Sequence, residues 1–257
     1  MNKNPKHIKM KKSILTTLLM LIIASPVINA VTFKKYSGER AYYMPSLSKN
    51  IGESAYDIHS YKIEFPTNGP ESLKKIILKN LFDNTSYNLK TDTEKFLSTI
   101  VETFSSDEKP QLLSYVPEIT HFSNYATIEG SVVSQSSNLI VYHCAFDTHV
   151  SGALMSGERY DYINYYIPNK KALKMSDILL SSKKSKITKA IKNNAKKIGL
   201  SEPIQLEIPE VFYISSKGIT FVYNPYTTIY GYSSFKITVP KSQLSGCLTA
   251  LGQKLIK

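Results

Sequence analysis

NLIVYHCAFDTHV, residues Asn138 to Val150, alternates with a period of two and is largely apolar on both sides. Ile140, Tyr142, Cys144 and Phe146 take one face, and Leu139, Val141, His143 and Ala145 take the other. A strand apolar on both faces belongs in the middle of a sheet with layers above and below it. Outward from it the pattern stays β from Ser114 to Ile167, broken near Asn124 and at Ser134–Asn138, with RYDYINYYIP ending at Pro168. Upstream, Tyr56–Phe65 (YDIHSYKIEF) alternates as a strand. The period then changes. Pro70 suits a first helical turn, and Leu73, Ile76, Ile77 and Leu81 fall on one helical face. A second helix is predicted over Asp92–Phe104, with Thr91 and Glu94 at capping-box spacing.

Downstream, Ile187, Ala190, Ile191, Ala195 and Ile198 line a lysine-rich helix that Gly199 ends. VFYISSKGITFVYNP reads as a hairpin and FKITVP as one more strand. Leu244, Cys247, Leu248, Leu251 and Leu255 form the inward stripe of a closing helix. Residues 31–54 carry Gly38, Pro45 and Gly52 and read as an irregular lead-in. Runs of strands with grouped helices predict an α+β fold: a mixed, largely antiparallel sheet with helices on one side. The expected division is residues 1–30, the lead-in 31–54, an upstream α+β half over 55–135, and a C-terminal α+β domain over 136–257.

The chain of 257 residues opens with five lysines, an apolar run from Ile14 to Ile23, and small residues ending at Ala30. This is the layout of a secretory signal peptide, and the run is short of the roughly 20 residues that span a bilayer. A retained anchor is the alternative. No cysteine lies near Ala30 to take a lipid. Periplasmic or secreted location is therefore expected, with no membrane span once the signal has gone. Signal removal takes five lysines and no acid, lowering the formal charge from +12 to about +7. Arg40 and Arg159 are the only arginines, so the phosphate-reading forks that nucleic-acid binding favours are scarce. Nucleic acid is excluded as a partner. Export permits a disulfide between Cys144 and Cys247; two buried thiols are the alternative.

Catalytic patterns are missing. No Gly-x-Ser-x-Gly elbow, phosphate loop or dinucleotide fingerprint occurs. His59, His121, His143 and His149 lack the spacing of a helical zinc site, and no metal or cofactor is expected. The acids Asp107/Glu108 and Glu158/Asp161 read as surface pairs. A non-catalytic protein is expected, with an envelope hydrolase built from dispersed acids as the alternative.

Three stretches carry a resemblance: HVSGALMSGERYDYINYYIPNKKALKMSDIL, GITFVYNPYTTIYGYSSF and FKITVPKSQL. Together they resemble the extracytoplasmic domain shared by RsiV-type anti-sigma factors and the non-catalytic part of PdaC-type peptidoglycan deacetylases, over about Asn138 to Leu255. The resemblance implies a two-lobed single unit and an envelope role. Gly152 and Ala153 match the family's turn, whereas its histidine falls on Leu154 and its first glycine on Ser151. RsiV-type members bind lysozyme. Lysozymes are usually basic, and a chain near +7 would repel them at long range. The anti-sigma role is not carried over.

Tyr223, Tyr226, Tyr230 and Tyr232 can pin a long loop to the sheet or form a recognition surface, since tyrosine gives large contact area at low entropy cost. The expected partner is a cell-wall glycan or an envelope protein, held by this loop and the turn at Ser151–Gly157.

Overall fold

The computed structural model describes residues 30–99, 109–118, 123–150, 157–200, 206–225 and 234–256. Residues Val31–Lys257 form one compact unit. Strand β1 (Phe33–Tyr43) leads into helix α1 (Pro45–Ile51), β2 (Tyr56–Pro66), helices α2 (Glu71–Leu81) and α3 (Leu89–Ser98), and the two-residue β3 (Gln111–Leu112). Then come β4 (Asn124–Gln135), β5 (Leu139–His149), β6 (Gly157–Tyr166), the two-residue β7 (Lys171–Ala172), α4 (Met175–Ile178) and α5 (Lys184–Lys197). The hairpin β8 (Phe212–Ser215) and β9 (Gly218–Tyr223), β10 (Phe235–Pro240) and α6 (Ala250–Leu255) complete the chain.

Among the described residues seven strands form one sheet in the order β3-β1-β2-β4-β5-β6-β7, and three form a second in the order β10-β9-β8. All pairings among the described strands are antiparallel except β2 with β4. That parallel pair needs a crossover, and α2 and α3 lie within it. The α+β class and the largely antiparallel sheet are as the sequence predicts.

Strand β5 lies inside the large sheet, and its two faces enter two cores. Ile140, Tyr142 and Cys144 pack with Ile63, Ile128, Ile163 and Tyr165, and with Leu73, Ile77, Leu78 and Leu81 of α2. Leu139 and Val141 pack on the other side with Tyr166, with Ile187 and Ile191 of α5, and with Phe212, Ile219, Phe221 and Ile237 of the small sheet. The helices are therefore not all on one side: α2 lies on one face of the large sheet, while α5 lies with the small sheet on the other. The signal for this was in β5 itself, since a strand apolar on both faces needs two covers.

Four local expectations change. Residues 31–54 are no irregular lead-in, because β1 pairs with β2 along its whole length, Phe33 opposite Pro66 through Tyr43 opposite Tyr56. The boundary at residue 135/136 divides nothing, because the β4–β5 ladder crosses it with Gln135 opposite Ile140. Helix α3 starts three residues early, where the Asn88 side chain accepts from the Thr91 amide in place of a Thr91 cap. The closing helix starts late, at Thr249, whose hydroxyl accepts from the Gly252 amide.

Cys144 and Cys247 are free and buried. They belong to the two different cores, so no disulfide joins them. Burial, above all, raises the Cys144 thiol well above its ordinary pKa. Both thiols are expected to ignore a thiol reagent such as Ellman's in the native protein and to react together on unfolding, as absorbance titration across a urea series would show. Rapid labelling of either thiol without denaturant would contradict this packing.

Candidate functional site

The face of the large sheet that the small sheet covers is apolar at Leu139 and Val141 and changes character further along β5. His143, Ala145, Asp147 and His149 continue the same face by strand alternation. Register brings Tyr162 opposite His143, Tyr160 opposite Ala145 and Glu158 opposite Asp147 from β6. From β4 it brings Thr127 opposite Asp147 and Tyr125 opposite His149. Of these residues only Ala145 is buried; Tyr125, Thr127, His143, Asp147, His149, Glu158, Tyr160 and Tyr162 are half-buried.

The rings form two stacks. Tyr125 lies on His149 at 5.4 Å between centroids, with planes 21° apart. His143 lies against Tyr160 at 5.8 Å and Tyr162 at 4.8 Å, and Tyr162 continues onto Tyr213 of β8 at 4.5 Å. Lys236 of β10 donates from Nζ to the Tyr162 hydroxyl at 2.8 Å and stands 5.7 Å from the Tyr160 ring centroid. Asn224 fastens the end of β9 to this place: the Tyr160 amide donates to its Oδ1 at 2.7 Å, and its Nδ2 donates to the Tyr160 carbonyl at 2.9 Å.

Two polar atoms of this face, His143 Nε2 and Asp147 Oδ1, are buried without a hydrogen-bond partner among the described residues. Burial first, and then the Lys236 charge, lower His143 to a pKa of about 4, so its ring is neutral at pH 7. Burial first, then the Asp147 carboxylate, raise Tyr125. Unfolded His143 would take up a proton near pH 6.5 and folded His143 near 4. Between those values the unfolded chain binds more protons, so this contribution to stability is complete above about pH 6.5 and is lost as the pH falls towards 4. His143→Gln is expected to flatten that part of the pH–stability curve, measured by urea unfolding at half-unit steps. An unchanged slope would show that His143 does not carry it.

The sequence candidates distribute unevenly. Tyr223 belongs to the scaffold: it is 3% exposed, stacks on Phe235 at 4.7 Å, and donates its hydroxyl to the Glu207 carbonyl at 2.8 Å. Burial raises its pKa. Tyr226, Tyr230, Tyr232, Gly152 and Ala153 lie outside the described residues. The segments that hold them follow β5 and β9 in the chain, and His149 of β5 belongs to one of the ring stacks. Asp147 and Glu158 do meet, as directly opposed partners. Sequence reading missed Tyr125, Tyr160, Tyr162 and Tyr213. Their spacing on even and odd strand positions was visible, but which strands pair was not.

Among the described residues no group of three His, Cys, Asp or Glu side chains comes together as a metal site. No helix there is long and apolar enough to cross a membrane.

No family model and no curated protein matches the chain. Solved structures do. A member of the DUF3298 family from Bacteroides fragilis superposes with a TM-score of 0.62 at 16% identity, covering 86% of this chain and 94% of that one. A DUF3298 family protein from Pseudomonas aeruginosa gives 0.56 at 12% identity, covering 86% and 96%. At these identities the likeness is one of fold, and the fold is that of an uncharacterised domain.

Proposed function

We propose that this protein is an exported, non-catalytic binding module of the bacterial cell envelope, and that the tyrosine–histidine face of β4, β5 and β6 takes a cell-wall glycan. The observation that carries the reading is a set of half-buried, stacked rings beside polar atoms with no partner among the described residues. Sugars offer apolar ring faces to aromatic platforms and hydroxyls or amides to neighbouring acceptors, which is what Tyr160, Tyr125 and Asp147 present. The signal-like residues 1–30 and the resemblance to RsiV and PdaC domains support the envelope setting.

Residues 31–257 are expected to co-sediment with purified peptidoglycan. Tyr125→Ala with Tyr160→Ala is expected to weaken retention by about tenfold or more, each lost stacking contact being worth roughly 1 kcal/mol. Circular dichroism should be unchanged. Full retention by the double variant would end the assignment of this face, and retention only on protein-coated beads, lysozyme included, would move the partner from glycan to protein.

One observation favours a second reading, an envelope hydrolase: Asp147 and Glu158 stand opposite each other beside His149. Two neighbouring carboxyl groups are the side chains that an acid–base pair requires. Release of soluble muropeptides that Glu158→Gln abolishes would establish that reading over the first.

A further inference from the structure

On the opposite face of the large sheet, the ends of α2 and α3 leave a cavity of about 370 Å3. That lies within the range of small-ligand sites, roughly 300–1,000 Å3. Its inner wall is buried: His59, Leu81, Phe82, Ala126 and Ile128, with Phe146 beside them. Its mouth is polar and exposed, at Asp83, Asn84, Lys95 and Thr99. The gradient from charged rim to apolar floor is that of a pocket which strips water from what enters.

Two buried polar side chains stand in that wall: Asp92, whose carboxylate accepts from Thr85 and Ser86, and His59. His59 is 1% exposed, and its Nε2 lies 2.9 Å from Oδ1 of Asp57, which is itself fully buried. The ring meets Phe96 edge-on at 5.3 Å. Its second nitrogen, Nδ1, is buried with no hydrogen-bond partner among the described residues. A neutral imidazole that donates Nε2–H to a carboxylate carries its lone pair on Nδ1. A buried acceptor left unpaired is costly, and a floor of Leu81, Phe82, Ala126 and Ile128 offers a lone water few of the two to four polar partners it needs.

We propose that this cavity binds a small, largely apolar molecule bearing one hydrogen-bond donor, an aromatic or aliphatic hydroxyl or an N–H, with His59 Nδ1 as the acceptor. Asp57 acts as a positioning residue, fixing the ring so that its acceptor is the nitrogen that lacks a protein partner. The site lies across the sheet from the tyrosine–histidine face and does not rest on the reading given to that face.

Phenol, benzene and anisole separate the idea from its rivals, because the three share a ring and only phenol carries a donor. Titrated into residues 31–257 and followed by methyl and amide NMR, phenol is expected to shift Ala126 and Ile128 saturably. It should bind about tenfold more tightly than benzene or anisole, the worth of one net hydrogen bond. His59→Phe keeps the ring volume and should remove the preference, leaving phenol and benzene alike. Ala126→Leu fills the floor and should abolish binding of all three. Equal affinity of phenol and anisole for the unaltered protein would overturn the proposal without any variant. So would phenol binding that survives Ala126→Leu, or no saturable shift.

Discussion

Asn164→Leu is expected to lower the unfolding free energy by about 3 kcal/mol, the cost of stranding two buried backbone groups. Asn164 is 1% exposed and points from β6 towards the small sheet. Its Nδ2 donates to the Phe212 carbonyl at 2.9 Å, and its Oδ1 accepts from the Ile214 amide at 2.9 Å. Strand β8 is an edge of the small sheet, bonded on its other side to β9. The amide of Asn164 therefore does for β8 what a fourth strand would do. Leucine fills the same volume but offers neither atom, and the penalty for the two unmade bonds exceeds any gain from greasing the site. Urea unfolding gives the free energy, and faster exchange of the Ile214 amide gives the location. A loss below about 1 kcal/mol would mean that β8 is held by its apolar contacts alone.

The second large effect is at Gly218→Ala, with an expected loss of about 4 kcal/mol and a fall in Tm of roughly 10 °C. Gly218 opens β9 at φ +140°, a conformation that side-chain-bearing residues rarely adopt. An added Cβ would press on the Val239 carbonyl and the Pro240 Cα, both main-chain atoms of the neighbouring strand. Nothing there can rotate away, so β9 and β10 must part at a point where Gly218 pairs with Pro240. Gly199 supplies the comparison. It is also left-handed, at φ +81°, but an added Cβ meets no atom within 4 Å. Gly199→Ala should therefore cost only about 1 kcal/mol, the dihedral penalty without the collision. Similar losses at the two positions would remove the steric explanation.

How much of this was legible depends on whether the deciding interaction was local. Helices α2 and α5 were, because their apolar stripes recur with helical period and each is several turns long. The β8–β9 hairpin was, because Ser216, Lys217 and Gly218 sit between two alternating runs. Strand β1 was not. FKKYSGERAYY alternates poorly, and it is a strand because β2 offers eleven consecutive partners. The candidate face was half legible: Tyr160 and Tyr162 share parity, but only register places His143 beside them. Asp57 and His59 were open to a reader who noted two titratable residues on the otherwise apolar side of β2, which Tyr61, Ile63 and Phe65 continue. Their burial under Phe96 depends on α3 crossing the sheet, a contact between distant segments.

The large sheet finishes in very little strand at both of its edges. Strands β3 and β7 are two residues each, so among the described residues β1 and β6 have long stretches of rim beyond them. An open rim is a template on which copies of a chain add to one another. Here it is blunted piecemeal: Lys34, Lys35, Glu39 and Arg40 stud β1, Asn224 occupies the amide and carbonyl of Tyr160 on β6, and Asn164 does the same for β8. Single carboxamides and charges of both signs thus stand where polymerisation would begin.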